Sequence, residues 1–301
     1  MKRMFQFLGL GCILLLCSLA AADTVKPQLP AEVDINKDAG RGVLLFVNVR
    51  LENGQEVPFC VDTGTARTLM DKSFEPTLGK PLGTFSMNWW GKKEQSRFYA
   101  APKLYLGGIP LALPGKIVTS DLGRLASRSG PRLMGLIGFD CLKNYCIQLD
   151  FQKRKMRFLD PDHLDIADLG KAFPIMISAP GGRPFIKHPS LLGEADTNSP
   201  TTTDADSDPN NRGLPSTYAL IDSGFYGDGR VSPGEAEGHD SGKVRVPECV
   251  WNGETYTNLI IEVADHANLI GLRFLARHLV TLDFPHRTMY LKQISVGPLQ
   301  P

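Results

Sequence analysis

Apolar residues occur in short runs from residue 42 onward, and Gly, Pro and Asn interrupt these runs. Short runs that are rich in β-branched and aromatic residues are typical of strands. The Asn53-Gly54 pair between the first two runs predicts a hairpin turn. Helical periodicity is scarce, so we expect only short helices, near 141–144 and 274–278, and the pattern predicts an all-β protein. The strands are predicted at 43–49, 57–61, 97–106, 146–151 and 155–159.

The N-terminus carries a different pattern. Lys2 and Arg3 precede an apolar stretch over 7–19, and the small residues Ala20-Ala21-Ala22 follow it. This order is typical of a signal peptide that is cleaved after its last small residue. The stretch is shorter than the ~20 residues of a spanning helix, and a retained membrane anchor is the alternative. We therefore expect an exported protein, periplasmic or extracellular, that has a signal peptide over 1–22, an N-terminal extension over 23–41 and no stable membrane association after cleavage.

The charge composition argues against a nucleic-acid partner. The 301 residues include 33 basic and 32 acidic side chains, which gives a net charge of +1. Basic runs are absent from the sequence, so the electrostatic footprint of a nucleic-acid-binding protein is missing. The length is sufficient for one large domain or two modest ones.

Cysteine and histidine give little further direction. Two of the six cysteines lie in the predicted signal peptide. An even number of cysteines in an exported chain allows disulfides, and four cysteines permit three pairings. Four buried free thiols are equally consistent with the sequence. The six histidines show no metal-ligand spacing. The cysteines that remain after cleavage are Cys60, Cys141, Cys146 and Cys249.

An internal repeat organises the rest of the chain. Leu136-Ile137-Gly138 recurs as Leu269-Ile270-Gly271, a shift of 133 (269 minus 136). Upstream, Val61-Asp62-Thr63-Gly64 recurs as Ile221-Asp222-Ser223-Gly224, a shift of 160 (222 minus 62). The motifs keep their order, which indicates a duplication. The shifts differ by 27 residues (160 minus 133), so we expect the second half to lack about one long hairpin.

The repeat predicts two lobes and a connection. We place the first lobe at 42–160, the connection at 161–183 and the second lobe at 184–301. The second lobe contains an acidic insert over 194–216, in which Asp, Asn, Thr, Ser and Pro dominate. This composition is typical of an exposed loop.

Each copy of the first motif places an acidic residue between an apolar strand and a turn. Glycine allows a tight turn where a Cβ would clash, and the hydroxyl residue before it can hydrogen-bond to a partner loop. Two such loops face to face would bring two carboxylates within a few Å, where they share one proton. Such a pair can activate water, with one carboxylate as general base and the other carboxyl as general acid.

The chain resembles the aspartic proteases of the pepsin and retropepsin superfamily. It carries both of that superfamily's hallmarks, Asp-Thr/Ser-Gly and two hydrophobic residues followed by Gly, and it carries each of them twice. The resemblance implies two β-barrel-like lobes with the active-site cleft between them. It also implies peptide or protein substrates, hydrolysis of peptide bonds without a cofactor or metal, and a monomer.

The resemblance assigns roles to individual residues. Asp62 and Asp222 would be the catalytic dyad. The hydroxyl residues would interlock the two loops, and the glycines would make the turns. Thr65 matches the hydroxyl residue that usually supports the outer carboxylate oxygen. These supporting residues are Thr63, Gly64, Thr65, Ser223 and Gly224.

The flap of such enzymes is a hairpin that covers the cleft. Counting back from Leu106-Gly107-Gly108 places the flap tip near Trp89, Trp90 and Gly91. An indole at Trp90 could pack on the substrate and exclude water. Packing of both tryptophans on the lobe surface is the alternative interpretation.

One departure from the superfamily leaves the activity open. Phe225 occupies the position where pepsin-like enzymes place Ser or Thr after the second catalytic glycine. The alternative hypothesis is a protein that has the same fold but no catalytic activity, and that binds peptides in its cleft or acts as a scaffold. A homodimer that uses only Asp62 from each chain is a third hypothesis, although the complete second set of motifs argues against it.

Overall fold

The computed structural model describes residues 29–89, 92–125, 132–178, 182–187, 191–192, 217–236 and 241–300. Strands dominate these residues, so the predicted all-β class is confirmed. The strands, in chain order, are β1 (Ala31–Asp34), β2 (Phe46–Leu51), β3 (Glu56–Val61), β4 (Leu69–Asp71), β5 (Gly83–Trp89), β6 (Lys92–Ala100), β7 (Leu104–Leu106), β8 (Ile109–Pro110), β9 (Lys116–Ser120), β10 (Gly135–Ile137), β11 (Cys146–Asp150), β12 (Lys155–Leu159), β13 (Lys171–Pro174), β14 (Met176–Ile177), β15 (Pro184–Lys187), β16 (Tyr218–Asp222), β17 (Gly229–Val231), β18 (Gly242–Trp251), β19 (Glu254–Val263), β20 (Leu269–Gly271), β21 (His278–Asp283) and β22 (Thr288–Gln293).

The α-helices are short. They are α1 (Phe139–Leu142) and α2 (Leu272–Leu275). The predicted helices at 141–144 and 274–278 were placed two residues too late, because each helix begins directly after the glycine of the repeated motif. Within the described ranges, no helix is long and apolar enough to cross a membrane. Short 3-10 helices occur at Lys72–Thr77, Leu122–Leu125, Pro161–His163, Ile166–Asp168 and Pro233–Glu235.

The described residues form three sheets. The first half contributes nine strands in the order β5-β6-β9-β4-β10-β3-β2-β7-β8, and the second half seven in the order β14-β15-β16-β20-β17-β19-β18. A six-stranded sheet, β1-β12-β11-β21-β22-β13, draws strands from both halves. The sheets stay open over the described residues, so each lobe is a folded sheet and not a closed barrel.

The six-stranded sheet joins the two halves around a pseudo-twofold axis. Gln148 pairs with Thr281 where β11 meets β21, and the two residues are related by the 133-residue shift of the repeat (281 minus 148). Their side chains hydrogen-bond at 3.0 Å. Strand β1 lies in the expected N-terminal extension and pairs with β12, while β13 of the expected connection pairs with β22.

The length difference between the halves is spread over several strands. In the first lobe, β7 and β8 lie between β6 and β9, whereas β18 and β19 are joined directly by a turn at Asn252-Gly253. Strand β6 also has β5 beside it, whereas β18 is the last strand of its sheet among the described residues. The expectation of one missing hairpin is therefore wrong in detail, because over the described residues the second lobe lacks both the β7–β8 hairpin and a counterpart of β5.

The strands that lead to the two motifs bury their side chains on both faces. On β3, Phe59 and Val61 belong to the main core, while Cys60 points to a smaller cluster on the opposite face. On β16, Ile221 lies in the main core and Leu220 lies in a second small cluster. All four cysteines outside the predicted signal peptide are buried free thiols, and the described residues contain no disulfide.

Candidate active site

The repeated motifs meet in each lobe through parallel strand pairs. Val61 on β3 pairs with Ile137 on β10, and Ile221 on β16 pairs with Ile270 on β20. Each helix start is tied to the loop beside it: the amide of Phe139 donates to the carbonyl of Thr65 at 2.9 Å. The amide of Leu272 donates to the carbonyl of Phe225 at 2.7 Å. The second motif therefore holds the loop that carries the acidic residue.

The two acidic loops interlock through their hydroxyl residues. The amide of Thr63 donates to Ser223 Oγ at 3.0 Å, and the amide of Ser223 donates to Thr63 Oγ1 at 3.0 Å. Thr63 Oγ1 donates to the carbonyl of Ile221 at 2.6 Å, and Ser223 Oγ donates to the carbonyl of Val61 at 2.7 Å. Both side chains are buried, so these four bonds form a symmetric connection that excludes water.

The glycines bring each carboxylate against the opposite loop. A Cβ placed on Gly64 would lie 2.4 Å from Asp222 Cγ, and a Cβ on Gly224 would lie 2.4 Å from Asp62 Cγ. Contacts under 3.0 Å do not occur for real Cβ atoms. A side chain at either position would therefore force the opposite carboxylate or its loop to move.

The pKa values of both carboxyls are raised. Burial is the main cause for Asp62, whose pKa rises to about 7, and the negative charge of Asp222 adds to the rise. Hydrogen bonds from the amides of Thr65 and Gly64 oppose it. Burial also raises the pKa of Asp222, against the opposing effect of the Gly224 amide and the Arg230 guanidinium. Because the two groups interact, they titrate as a pair.

The two carboxylates differ in their support. Asp62 Oδ1 accepts from the amides of Gly64 and Thr65 at 2.9 and 3.0 Å. Asp222 Oδ1 accepts from the amide of Gly224 at 2.9 Å, while the amide of Phe225 donates to the main-chain carbonyl of Asp222. The ring of Phe225 stacks on Tyr226 with centroids 5.7 Å apart. Phe225 thus holds the sequence position that Thr65 holds in the first loop, and its ring also lies under the guanidinium of Arg230.

Further from the carboxylates, each acidic loop is held by the side chain two positions after the glycine of the hydrophobic-hydrophobic-Gly motif. This residue is Asp140 in the first lobe and Arg273 in the second. In the first lobe, Asp140 Oδ1 accepts from the amide and hydroxyl of Thr68 at 2.8 and 2.7 Å. In the second lobe, the buried carboxylate of Asp228 pairs with Arg273 and, at 2.8 Å, with Arg277.

Sequence reasoning missed this anchor. Asp228 had no assigned role, although its shared shift with Thr68 (228 minus 68 equals 160) marked it as the matching residue. Arg277 carried no motif signal at all. Its side chain is fully buried and also donates to the carbonyls of Thr257 and Val296.

The predicted flap corresponds to a hairpin. Strands β5 and β6 pair along their length, and Trp89 is the last residue of β5. Trp90 and Gly91, the other two predicted tip residues, lie outside the described residues. Nearer the base of the hairpin, Phe85 and Phe98 pack on the small cluster that contains Cys60.

Two further features lie away from the carboxylates. A pocket of about 250 Å³ on the first lobe is lined by residues within 101–115. It therefore includes neither acidic loop. Over the described residues, no three His, Cys, Asp or Glu side chains are grouped as metal ligands would be.

Comparison with known proteins supports the fold. No protein-family model matches the chain, and no curated protein matches its sequence. The structure is similar to the crystal structure of basic 7S globulin from soybean, with a TM-score of 0.51 and 11% sequence identity. The similarity covers 90% of this chain and 96% of that chain. That protein has the pepsin-like aspartic protease fold, and its name is that of a globulin and not of a peptidase. The similarity therefore shows that this chain has a pepsin-like fold, and its activity must be argued from the site.

Proposed function

We propose that this protein is an exported aspartic endopeptidase that uses Asp62 and Asp222 of a single chain. The observation that carries the proposal is the mirrored pair of carboxylates on interlocked glycine turns. An anchoring role alone would not require two acidic groups in such close surroundings, because like charges there disfavour folding. Asp62 and Asp222 each keep part of their surface exposed as residues, so they lie within reach of a substrate.

The chemistry follows from a shared proton. A water molecule between the carboxyls loses a proton to the ionised one as its oxygen attacks the peptide carbonyl carbon. The protonated carboxyl gives its proton to the carbonyl oxygen, which yields a neutral tetrahedral diol. The carboxyl that took the proton from the water then gives it to the amide nitrogen, while the ionised carboxylate takes a proton from one hydroxyl of the diol. The C–N bond breaks, the amine and the new carboxylic acid leave, and the pair again shares one proton. The raised pKa of Asp62 favours the singly protonated pair up to near-neutral pH.

Export is proposed from the N-terminal pattern over 1–22, which lies outside the described residues. A monomer is proposed because one chain supplies both carboxylates, and the homodimer hypothesis would leave Asp222 without a role. A single species of monomer mass in solution is the expected result.

A non-catalytic peptide-binding protein is the second candidate. Phe225 favours it, because the ring removes a hydroxyl that supports the carboxylate in pepsin-like enzymes. The fold that the chain shares with a globulin is compatible with either function.

Hydrolysis of an unfolded protein between pH 3 and pH 8 separates the candidates. The purified protein is compared with Asp62→Asn and Asp222→Asn, and each substitution is expected to lower cleavage by about 10³-fold or more. Asp168→Asn is the matched control, since Asp168 is exposed in the 3-10 helix Ile166–Asp168 and lies outside both acidic loops. Absence of cleavage by the parent at every pH would favour the binding protein, and loss only with Asp62→Asn would favour the homodimer.

A further inference from the structure

A small apolar cluster lies where the hairpin β5–β6 and the two acidic loops come together. Cys60, two residues before Asp62, is a member of it, and the rings of Phe85 and Phe98 from the hairpin pack on it. Tyr226, which follows the second acidic loop, packs on it from the other lobe. We call it the Cys60 cluster, and its members are Leu44, Cys60, Leu69, Val118, Leu122, Leu133 and Leu136.

The Cys60 cluster lies close to the carboxylates. Side chains alternate between the two sides of an extended chain, so Cys60 and Asp62 point to the same side. Burial raises the pKa of the Cys60 thiol, and the negative charges of Asp62 and Asp222 add to the rise. A side chain that flanks a scissile bond held at the carboxylates would therefore meet this cluster.

One polar residue shares the side of the hairpin that packs on the cluster. Ser96 on β6 pairs directly with Phe85 on β5, and residues opposite each other in an antiparallel pair lie on the same face. Phe98, two residues further along β6, is also on that face. The centres of the two phenylalanine rings are 5.4 Å apart, and both rings pack on the Cys60 cluster. The side chain of Ser96 therefore points to the same side as these rings.

The hydroxyl of Ser96 is buried and unsatisfied. The residue is 2% exposed, and its Oγ makes no hydrogen bond to any part of the chain that the structure describes. Buried polar groups are almost always hydrogen-bonded, because an unpaired one lowers the stability of the folded state. Arg277 Nε is also unpaired, but the other nitrogens of that guanidinium bind Asp228 and two carbonyls. The side chain of Ser96 has no second polar atom, so only a group from a ligand would satisfy it.

The surroundings of this hydroxyl define the chemistry of the ligand. The Cys60 cluster and the rings of Phe85 and Phe98 offer apolar and aromatic contacts, which suit another aromatic ring. A serine hydroxyl is both donor and acceptor, so it can pair with a second hydroxyl. Tyrosine combines an aromatic ring with a hydroxyl at its end. Both phenylalanine rings are only partly buried, so the cluster reaches the surface there, and a hairpin that lifts on substrate binding would admit the ring.

We propose that Ser96 is a specificity residue that hydrogen-bonds the hydroxyl of a substrate tyrosine next to the scissile bond. This inference rests on the proposed peptidase function, and it adds the substrate class: peptides with tyrosine on the side of the scissile bond that lies against the first lobe. Phenylalanine would fill the same space but leave Ser96 unpaired. A site that holds a hydroxyl by a buried polar group rejects the analogue without one, because that group then stays unsatisfied.

Matched peptides test the inference. A reference peptide with phenylalanine on both sides of the scissile bond is compared with peptides that carry tyrosine on one side or the other. A third series carries 4-methylphenylalanine, which has the size of tyrosine but no hydroxyl. On one of the two sides, the tyrosine peptide is expected to have about a tenfold higher kcat/KM than both of its partners. Ser96→Ala should bring this ratio to about one.

Two further measurements control for folding and for position. Because Ser96→Ala removes a buried hydroxyl that has no partner, it should raise the melting temperature of the peptide-free protein by about 2–4 °C. A lower melting temperature would mean that the hydroxyl already has a partner in the free protein, and it would overturn the inference. Ser86→Ala changes an exposed serine of β5, on the opposite face from Phe85, and should leave the ratio unchanged.

The outcomes separate the inference from the proposed function. Equal cleavage of the three series, or a preference for tyrosine that persists in Ser96→Ala, overturns the inference alone. If the parent cleaves none of the peptides, the proposed function fails, and binding of the same peptides to the parent is measured by fluorescence anisotropy. Tighter binding of the tyrosine peptide that is lost in Ser96→Ala would then support the role of Ser96, and equal binding would overturn it.

Discussion

The loops of the two lobes are nearly identical where they touch each other and different where they do not. Thr63 and Ser223 make mirrored hydrogen bonds, with lengths that agree to within 0.1 Å (2.6 and 2.7 Å, 3.0 and 3.0 Å). One layer further out, a neutral hydroxyl pairs with Asp140 in the first lobe, whereas Asp228 pairs with arginines in the second. The comparison teaches that the lobes keep their symmetry where the two loops meet, and that contacts of different chemistry support the loops behind that layer.

We expect the largest effect from adding a methyl group to the glycine of either interlocked loop. Gly64→Ala and Gly224→Ala each place a Cβ 2.4 Å from the opposite carboxylate. Because the opposite carboxylate or its loop must move, we expect peptide hydrolysis to fall by about 10²-fold or more with either variant. Gly115→Ala, where a Cβ would meet nothing within 4 Å, is the control. A large loss from one glycine and none from the other would break the symmetry.

The supporting layers should differ in their contribution to stability. Arg277→Met leaves the buried carboxylate of Asp228 without its buried partner, and we expect the free energy of unfolding to fall by about 3–5 kcal/mol. Thr68→Val removes the hydrogen bonds of one hydroxyl, to the Asp140 carboxyl and from the Gly138 amide, and should cost about 1.5–3 kcal/mol. Urea unfolding at pH 7 measures both values. Equal losses of unfolding free energy in the two variants would contradict the expectation that the buried Asp228–Arg277 ion pair contributes more than the Thr68 hydroxyl.

The lobes should also respond differently to acid. His278 is fully buried, its pKa is lowered to about 4 by burial, and the repeat-related residue of the first lobe is Tyr145 (278 minus 133). The unfolded chain binds a proton at His278 near pH 6.5 and the folded chain only near pH 4, so stability is lost as the pH falls between these values.

His278→Gln removes that titration. Unfolding free energies of parent and variant, measured from pH 7 to pH 4, should therefore converge by about 1–2 kcal/mol as the pH falls. Tyr145→Phe should leave the pH dependence unchanged. A constant difference between the parent and His278→Gln across this range would contradict the account.

The dyad should show the opposite pH dependence. The pKa of Asp62 is raised from 3.8 to about 7, so its contribution to stability is fully present below pH 3.8 and is lost as the pH rises toward 7. Asp62→Asn should therefore raise the melting temperature at pH 7 by about 2–5 °C. Scanning calorimetry at pH 3.5 should show a much smaller gain. A lower melting temperature at pH 7 would contradict this prediction.

Much of this arrangement could be predicted from the sequence because the motifs are local. The Asp-Thr-Gly and Asp-Ser-Gly turns demand glycine for steric reasons, and their repetition in order predicts two facing loops. The all-β class followed from short runs of strand-forming residues. The helices were misplaced because four residues give no periodicity, and their starts depend on the glycine before them.

The remaining features depend on contacts between distant residues. Arg277 and Asp228 lie 49 residues apart and meet only in the folded lobe. No pattern along the chain could therefore reveal this buried ion pair.

The shared proton is the central claim, and a titration of the Asp62 carboxyl carbon by NMR tests it most directly. In the parent, Asp62 should titrate well above 3.8, and in Asp222→Asn its pKa should fall because the neighbouring negative charge is gone. Burial should keep it above its ordinary value in both proteins. Titration of Asp62 near 3.8 in the parent, or at the same pH with and without Asp222, would contradict a coupled pair.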